Sequence, residues 1–339
     1  MKNILELKNV SYSFRTYGGV VKSVRDVSFS VKKGEIIGIV GESGCGKSVT
    51  SQCIMRLNPE PPGFFEGGEI LYKGKDIVKM SEKEMRRIRG KEIGFIFQDP
   101  MTSLNPTMKV GAQIEELFVA EKMSKKEKKS KVMDMLNAVG ISDAESRYGQ
   151  YPHELSGGMK QRIMIAIALV GNPDIVIADE PTTSLDVTIE AQILDVLGDL
   201  RKKRDTSIIL ITHDLGVIAK LCDRVMVMYG GKIVECGGVD DIFYDTHHPY
   251  TAGLINSIAR LDMDKNEKLH PIDGTPPDLF APPSGCPFAA RCEYAMQICN
   301  EMPPREYQLS KGHTTACWLE HEYAPNVNLI KEGEIKCRA

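Results

Sequence analysis

Apolar and polar positions alternate along Ile4–Phe14 and again along Val24–Val31, the period-two pattern of strands with one face in a core. The stretch Glu35-Ile36-Ile37-Gly38-Ile39-Val40 is instead almost continuously apolar with glycines beside it, which predicts a strand buried on both faces of a parallel sheet. From about residue 110 to 170 the spacing turns helical. Charged faces run over Ile114–Ala120 and Lys125–Leu136, and a last apolar helix stops at Gly171-Asn172-Pro173. A second buried strand is expected at Asp174–Ala178. Ile189, Ile193, Val196, Leu197 and Leu200 then fall at helical spacing ahead of a third strand, Ser207–Thr212. Strand, helix and strand in that order predict an α/β fold with a parallel sheet and a helical subdomain inserted at about residues 100–170. Val225–Tyr229 and Lys232–Cys236 flank Gly230-Gly231 as a hairpin that closes a domain of residues 1–260. Pro271, Pro276, Pro277, Pro282 and Pro283 exclude a regular element in the stretch that follows. Residues 261–339 are therefore expected to be a proline-rich linker and a C-terminal extension.

Composition narrows the function. The 339 residues carry 43 Lys and Arg against 46 Asp and Glu, a formal net charge of -3, so no global field draws the chain to nucleic acid or anionic lipid. The lysine-rich run Lys122–Lys131, broken by Glu127, reads as a solvated helix face. The longest apolar run, Ile163–Val170, is far short of the roughly 18–20 residues that span a bilayer. Met1–Glu6 lacks the apolar core of a secretory signal, which leads us to expect a cytoplasmic chain that meets a membrane only through a partner. Nine cysteines in such a chain are expected to be thiols or metal ligands rather than disulfides.

The strand ending at Val40 leads straight into Gly41-Glu42-Ser43-Gly44-Cys45-Gly46-Lys47-Ser48, the spacing G-x-x-x-x-G-K-[ST] of a phosphate loop. Glycines let successive N–H groups turn toward phosphate oxygens, and the helix that follows adds its positive end. Residues Gly41, Ser43, Gly44, Cys45, Gly46, Lys47, Ser48 and Val49 are the candidate phosphate contacts. Lys47 suits the β- and γ-phosphates of ATP, and the Ser48 hydroxyl suits Mg²⁺. Asp179 and Glu180 follow the apolar strand at its carboxyl edge, where ligands bind in open α/β sheets. Asp179 fits a magnesium shell, and Glu180 fits the base that polarises the attacking water.

A phosphate loop and a carboxylate strand occur in many ATPases; the next motif is more selective. Leu155-Ser156-Gly157-Gly158-Met159-Lys160-Gln161 resembles the LSGGQ signature of ABC ATPases, with Met159 where glutamine is usual. Ser156 is a good N-cap, and Gly157 and Gly158 expose N–H groups at the start of an apolar helix, a second anion site. The resemblance implies an α/β P-loop ABC ATPase core, a mixed β-sheet with a RecA-like parallel sheet and an inserted helical subdomain. It also implies head-to-tail pairing with a second ABC ATPase subunit, each nucleotide lying between one phosphate loop and the other chain's signature. Gln98 matches the family's Q-loop and would sense Mg²⁺ or the attacking water. Asp186 matches the D-loop at the dimer contact, and His213 the switch histidine that steadies Glu180 and the γ-phosphate. Register with the family places Phe14 against adenine, with Tyr17 and Tyr12 as alternatives. With Glu180 and His213 both present, an active ATPase is expected.

Cys286, Cys292, Cys299 and Cys317 have the spacing C-x5-C-x6-C-x17-C, which suits zinc or an iron–sulfur cluster and is wide for a zinc finger. His248-Pro249-Tyr250-Thr251, Gly274-Thr275-Pro276-Pro277 and the Cys286–Cys292 run resemble the extension of oligopeptide and dipeptide importer ATPases, whose members can carry a [4Fe–4S] cluster. The resemblance implies such a cluster on these four cysteines, with zinc as the alternative. It also implies two transmembrane permease subunits, an external peptide-binding protein reached indirectly, and a place on the cytoplasmic face of the membrane. Cassettes for nickel or another small solute share these motifs. A soluble ABC ATPase acting on nucleic acid or ribosomes is the competing class, but it would need a long coiled coil or two cassettes, and the chain has neither. His247, His270 and His313 receive no role.

Overall fold

The computed structural model describes residues 2–119, 121–182, 187–257, 271–327 and 329. The chain divides into two compact units, one of residues 1–5, 31–36 and 72–212, the other of residues 6–30, 37–71 and 213–339. Among the described residues no helix is long and apolar enough to cross a membrane.

In the first unit the strands Ile93–Ile96, Ile175–Asp179 and Ser207–Ile211 run parallel. Ile96 stands opposite Ala178, and Asp179 opposite Ile211, so the middle strand delivers its carboxylate at the carboxyl edge. Every residue of the three strands is buried, which explains apolar runs in place of alternation. The helices Gly157–Val170 and Val187–Arg204 lie on the connections between them. The expected helical insert contains Val110–Glu115, Lys125–Ala138, Ala144–Tyr148 and Gly157–Val170. Lys125–Ala138 begins with a capping box between Ser124 and Glu127 and buries only Val132 and Leu136. The glutamate that interrupts the lysine run thus satisfies the start of a solvated helix.

In the second unit the strand Ile36–Val40, from Ile37 onward, pairs in parallel with Arg224–Tyr229. The predicted hairpin forms from Arg224–Tyr229 and Lys232–Gly238. It does not close the sheet. His313–Thr315 adds antiparallel to Lys232–Gly238, and Tyr307–Ser310 adds antiparallel to His313–Thr315.

One buried carboxylate ties these strands to the turn that leads into the helix Pro249–Asn256. Glu235, 1% exposed, accepts from the Thr246 hydroxyl at 2.9 Å and from the N–H groups of His247 at 2.7 Å and His248 at 3.2 Å. Its Oε1 also meets His313 Nε2 at 3.1 Å. These bonds offset the burial that would otherwise raise the carboxyl, and the net shift is downward. The pairing outweighs burial at His313, whose affinity for a proton is raised. His248 takes the opposite course. Burial pushes it down to about 4, and its Nδ1 accepts from Tyr250 N–H at 3.1 Å as the N-cap of the helix Pro249–Asn256.

His248 is neutral in the folded chain, so its contribution is present above its unfolded value near 6.5 and is lost as pH falls toward 4. The loss is on the order of 3 kcal/mol. Glu235 adds to it below its unfolded value, whereas the His313 contribution is present in acid and lost as pH rises through its raised value. We expect the thermal midpoint to fall between pH 6.5 and 4, and to fall less in His248→Asn, which keeps a side-chain acceptor without a titrating ring. A scan of thermal midpoint against pH for both proteins checks this.

Candidate functional site

The phosphate loop belongs to the second unit. Gly41 has φ +148°, and a Cβ there would lie 2.2 Å from the carbonyl oxygen of Met228. Gly46 has φ +103° and would bring a Cβ to 2.4 Å from the carbonyl oxygen of Ser23. Both positions therefore demand glycine on conformation and on space. The helix Lys47–Met55 starts at Gly46 with no side-chain cap and no acid in its first turn. Such an end keeps its positive partial charge for an anion. Lys47 is 7% exposed, and its Nζ donates to the carbonyl oxygens of Gly41 at 2.7 Å and Glu42 at 2.9 Å. Ser43 and Gly44 are exposed, Ser48 and Val49 partly so. The Cys45 thiol is buried 3.7 Å from Lys47 Nζ, and burial raises its pKa against the pull of the ammonium.

Of the aromatic candidates, Tyr12 is part of the core. Its ring packs edge-on against Phe14 and Phe65, at 5.3 and 4.9 Å between centroids, and its hydroxyl donates to Glu60 at 3.1 Å. Phe14 is partly exposed and Tyr17 fully exposed.

The carboxylates belong to the first unit. Asp179 is 2% exposed at the end of its strand. Glu180 follows with φ +47°, a left-handed conformation that costs a non-glycine residue on the order of 1–3 kcal/mol. Its N–H donates to the carbonyl oxygen of Ile211 at 2.8 Å, so the neighbouring strand holds the turn. Gln98, exposed just beyond the strand Ile93–Ile96, donates from Nε2 to Glu180 Oε2 at 2.9 Å. Two residues separated by 82 positions thus meet at one carboxylate.

The signature segment is also in the first unit. Ser156 caps the helix Gly157–Val170 by accepting from Met159 N–H at 3.3 Å, and both Ser156 and Gly157 are exposed while Gly158 is partly so. The N-cap read from the sequence is therefore present. A contact the sequence did not reveal lies behind it: Gln161, 1% exposed, donates to the carbonyl oxygen of Pro181 at 2.7 Å, linking the signature helix to the segment after Glu180. His213 is exposed in the second unit, just ahead of the helix Leu215–Leu221. Asp186 lies outside the described residues.

Comparison with known proteins decides the family. The family model described as ABC transporter matches residues 24–183, and the model described as Oligopeptide/dipeptide transporter, C-terminal region, matches residues 234–299. The oligopeptide transport ATP-binding protein OppD of Bacillus subtilis is 59% identical over 336 residues, 99% of this chain and 94% of that protein. The chain belongs to the ATP-binding subunits of the oligopeptide/dipeptide ABC transporter family. The dipeptide transport ATP-binding protein DppD of Bacillus subtilis is 56% identical over 337 residues, 99% of this chain and all of that protein. Among solved structures, a dimeric ATP-binding cassette in a post-hydrolysis state with ADP and phosphate superposes at TM-score 0.64 with 27% identity, over 69% of this chain and 98% of that one. As an ABC ATPase the chain uses ATP with Mg²⁺.

The iron–sulfur expectation is overturned. Among the described residues no group of three or more His, Cys, Asp or Glu is placed to hold a metal ion. Burial, with the neighbouring cysteines adding to it, pushes the thiols of Cys286 and Cys292 up to about 11 and that of Cys317 up to about 12. Cys286 N–H donates to the Cys299 carbonyl oxygen at 2.7 Å, and Cys286, Cys299 and Cys317 pack as small apolar side chains, each 8% exposed.

Two outcomes follow for the loop. Gly41→Ala is expected to abolish nucleotide binding while leaving the far-ultraviolet circular dichroism unchanged, because its methyl group meets backbone. Cys45 is expected to react with iodoacetamide at neutral pH at least about tenfold more slowly than a free cysteine, since it is buried and its pKa raised; mass spectrometry of the tryptic peptide measures the rate.

Proposed function

We propose that the chain binds and hydrolyses ATP in a head-to-tail pair with a second ABC ATPase subunit and so drives import of di- and oligopeptides through two permease subunits. An external peptide-binding protein supplies the peptide, and the chain sits on the cytoplasmic face of the membrane by holding to those permeases. The observation that carries the ATPase reading is the meeting of Gln98 with a strained Glu180 beside the buried Asp179. The peptide reading rests on the match of relatives along 99% of the chain, extension included. We assign residues 1–260 to the nucleotide-binding domain, with its helical subdomain at about 100–170, and residues 261–339 to the linker and extension.

Within this reading Phe14 or Tyr17 stacks on adenine. The loop N–H groups from Gly41 to Val49 take the phosphates, with Lys47 Nζ on the β- and γ-phosphate oxygens. A hydroxyl, an amide oxygen and a carboxylate, from Ser48, Gln98 and Asp179, are the hard oxygen donors that Mg²⁺ prefers. Mg²⁺ held by these residues would offset the charge of the phosphate oxygens. Glu180 accepts the proton of the attacking water, held at its angle by the bond from Gln98, and His213 steadies the γ-phosphate. Ser156, Gly157 and Gly158 of each chain serve the nucleotide of the other, with Asp186 at the contact between them. The order of these motifs along the chain, which resembles the family pattern, supports reading them as one chemistry.

Lys47→Met is expected to lose MgATP binding. Glu180→Gln is expected to keep it, hydrolyse at least about a hundredfold more slowly and accumulate as a nucleotide-bound dimer. Equilibrium binding, phosphate release and light scattering on both variants test the assignment. Dipeptide uptake by proteoliposomes holding the whole transporter tests the substrate; hydrolysis without peptide uptake would sink the peptide reading.

A further inference from the structure

The second residue of the phosphate loop is held from outside the loop by the C-terminal extension. Arg291 Nη1 and Nη2 grip the Glu42 carboxylate at 2.6 and 2.9 Å in a bidentate pair. The remaining donors are also used: Nη1 to the Tyr229 hydroxyl at 3.1 Å, Nη2 to the Ile272 carbonyl oxygen at 2.9 Å, and Nε to the Asp273 carbonyl oxygen at 2.8 Å. A guanidinium has five N–H donors, and all five are satisfied here. Its side chain is 4% exposed, and Tyr229 and Phe288 lie within 6 Å of it. The Glu42 N–H donates to the hydroxyl of the buried Tyr250 at 2.8 Å, and the Glu42 carbonyl oxygen accepts from Lys47 Nζ at 2.9 Å.

Glu42 therefore spends its side chain on Arg291, its N–H on Tyr250 and its carbonyl on Lys47. Two consequences follow from the charges. An unpaired Glu42 carboxylate would put a negative charge in a loop that must accept a triphosphate, and it would compete for the ammonium of Lys47. The rigid fork of Arg291 removes both problems, because a fully bonded guanidinium fixes the carboxylate in one place. A lysine could neutralise the charge but could not make five bonds in that geometry.

We propose that Arg291 is a positioning residue for nucleotide binding: the extension neutralises and orients Glu42 so that the phosphate loop and Lys47 are ready for ATP. The proposal rests on the reading of residues 41–48 as the phosphate site. It makes the extension part of the nucleotide machinery, whatever else the extension does. Arg291 acts on the phosphates only through Glu42, so its effect belongs to affinity and not to the chemical step.

The test uses the full-length chain and mant-ATP with Mg²⁺ as the probe. Arg291→Met is expected to raise the dissociation constant on the order of tenfold, and Arg291→Lys to raise it less. Adding Glu42→Gln to Arg291→Met is expected to recover most of the affinity, because it removes the stranded charge. In phosphate-release assays the Arg291→Met defect should appear in KM, with kcat within about threefold of wild type. A purely structural role would lower the thermal midpoint and the active fraction equally in the single and double variants, with no rescue. Wild-type affinity in Arg291→Met, or no recovery in a folded double variant, overturns the proposal. Where Arg291→Met does not fold, Arg291→Lys with and without Glu42→Gln decides the same question. Failure of the wild type to bind mant-ATP overturns the reading of the loop itself and this proposal with it.

Discussion

A phosphate loop is a contradiction in local energetics, since it must offer several backbone N–H groups to an anion while built from glycines that resist being fixed. Gly41 and Gly46 adopt backbone angles that other residues rarely reach, and ordering glycine costs more entropy than ordering any other residue. Restraint must come from neighbours that leave the anion-facing side clear. Gly46 packs against the backbone of Ser23, Gly41 against that of Met228, and Gly231 N–H donates to the Cys45 carbonyl oxygen at 3.0 Å. Arg291 and Tyr250 complete the restraint at Glu42. All of these partners belong to the second unit, so the loop is braced by the part of the chain that bears the extension.

A similar restraint acts at the carboxylate edge in the first unit. A buried parallel strand that ends in Asp179 presents its next residue to solvent, and Glu180 leaves the strand in a left-handed conformation. Strain of this kind persists only where the surroundings over-determine it. Here the Ile211 carbonyl fixes the backbone and the Gln98 amide fixes the side chain. On the proposed reading of Glu180 as the base, a carboxylate held this way needs little reorganisation when its proton arrives.

Local motifs of the site were legible in the sequence, and partnerships across long separations were not. The loop glycines, the apolar strand before Asp179 and the Ser156 cap each depend on residues within a few positions, and each is present. The Arg291–Glu42 pair joins residues 249 positions apart, and nothing in either neighbourhood signals it. His247 and His313 carried no signal either, yet both meet the buried Glu235, one through its backbone and one through its ring. The strands Tyr307–Ser310 and His313–Thr315 have four and three residues, too few for a period-two pattern to register. The four cysteines misled for the opposite reason: spacing alone cannot tell thiolates gathered on a metal from neutral thiols packed as small apolar groups. Gln161 sat inside a motif read for its glycines, while its amide is buried on Pro181.

Two helix starts in this chain are suited to anions, and they differ in a way that bears on assembly. The start at Lys47 has no side-chain cap, no first-turn acid and a buried ammonium beside it. The start at Gly157 has the Ser156 hydroxyl on one of its N–H groups and remains exposed at Ser156 and Gly157. The first therefore combines a free helix end with a nearby ammonium, whereas the second offers chiefly a helix dipole, worth at most about 1 kcal/mol at an exposed site. On the proposed reading that inequality is useful. A signature too weak to recruit nucleotide alone can still favour a nucleotide already bound to a partner's loop, so ATP rather than the free protein surfaces drives pairing, and hydrolysis that removes the γ-phosphate releases it.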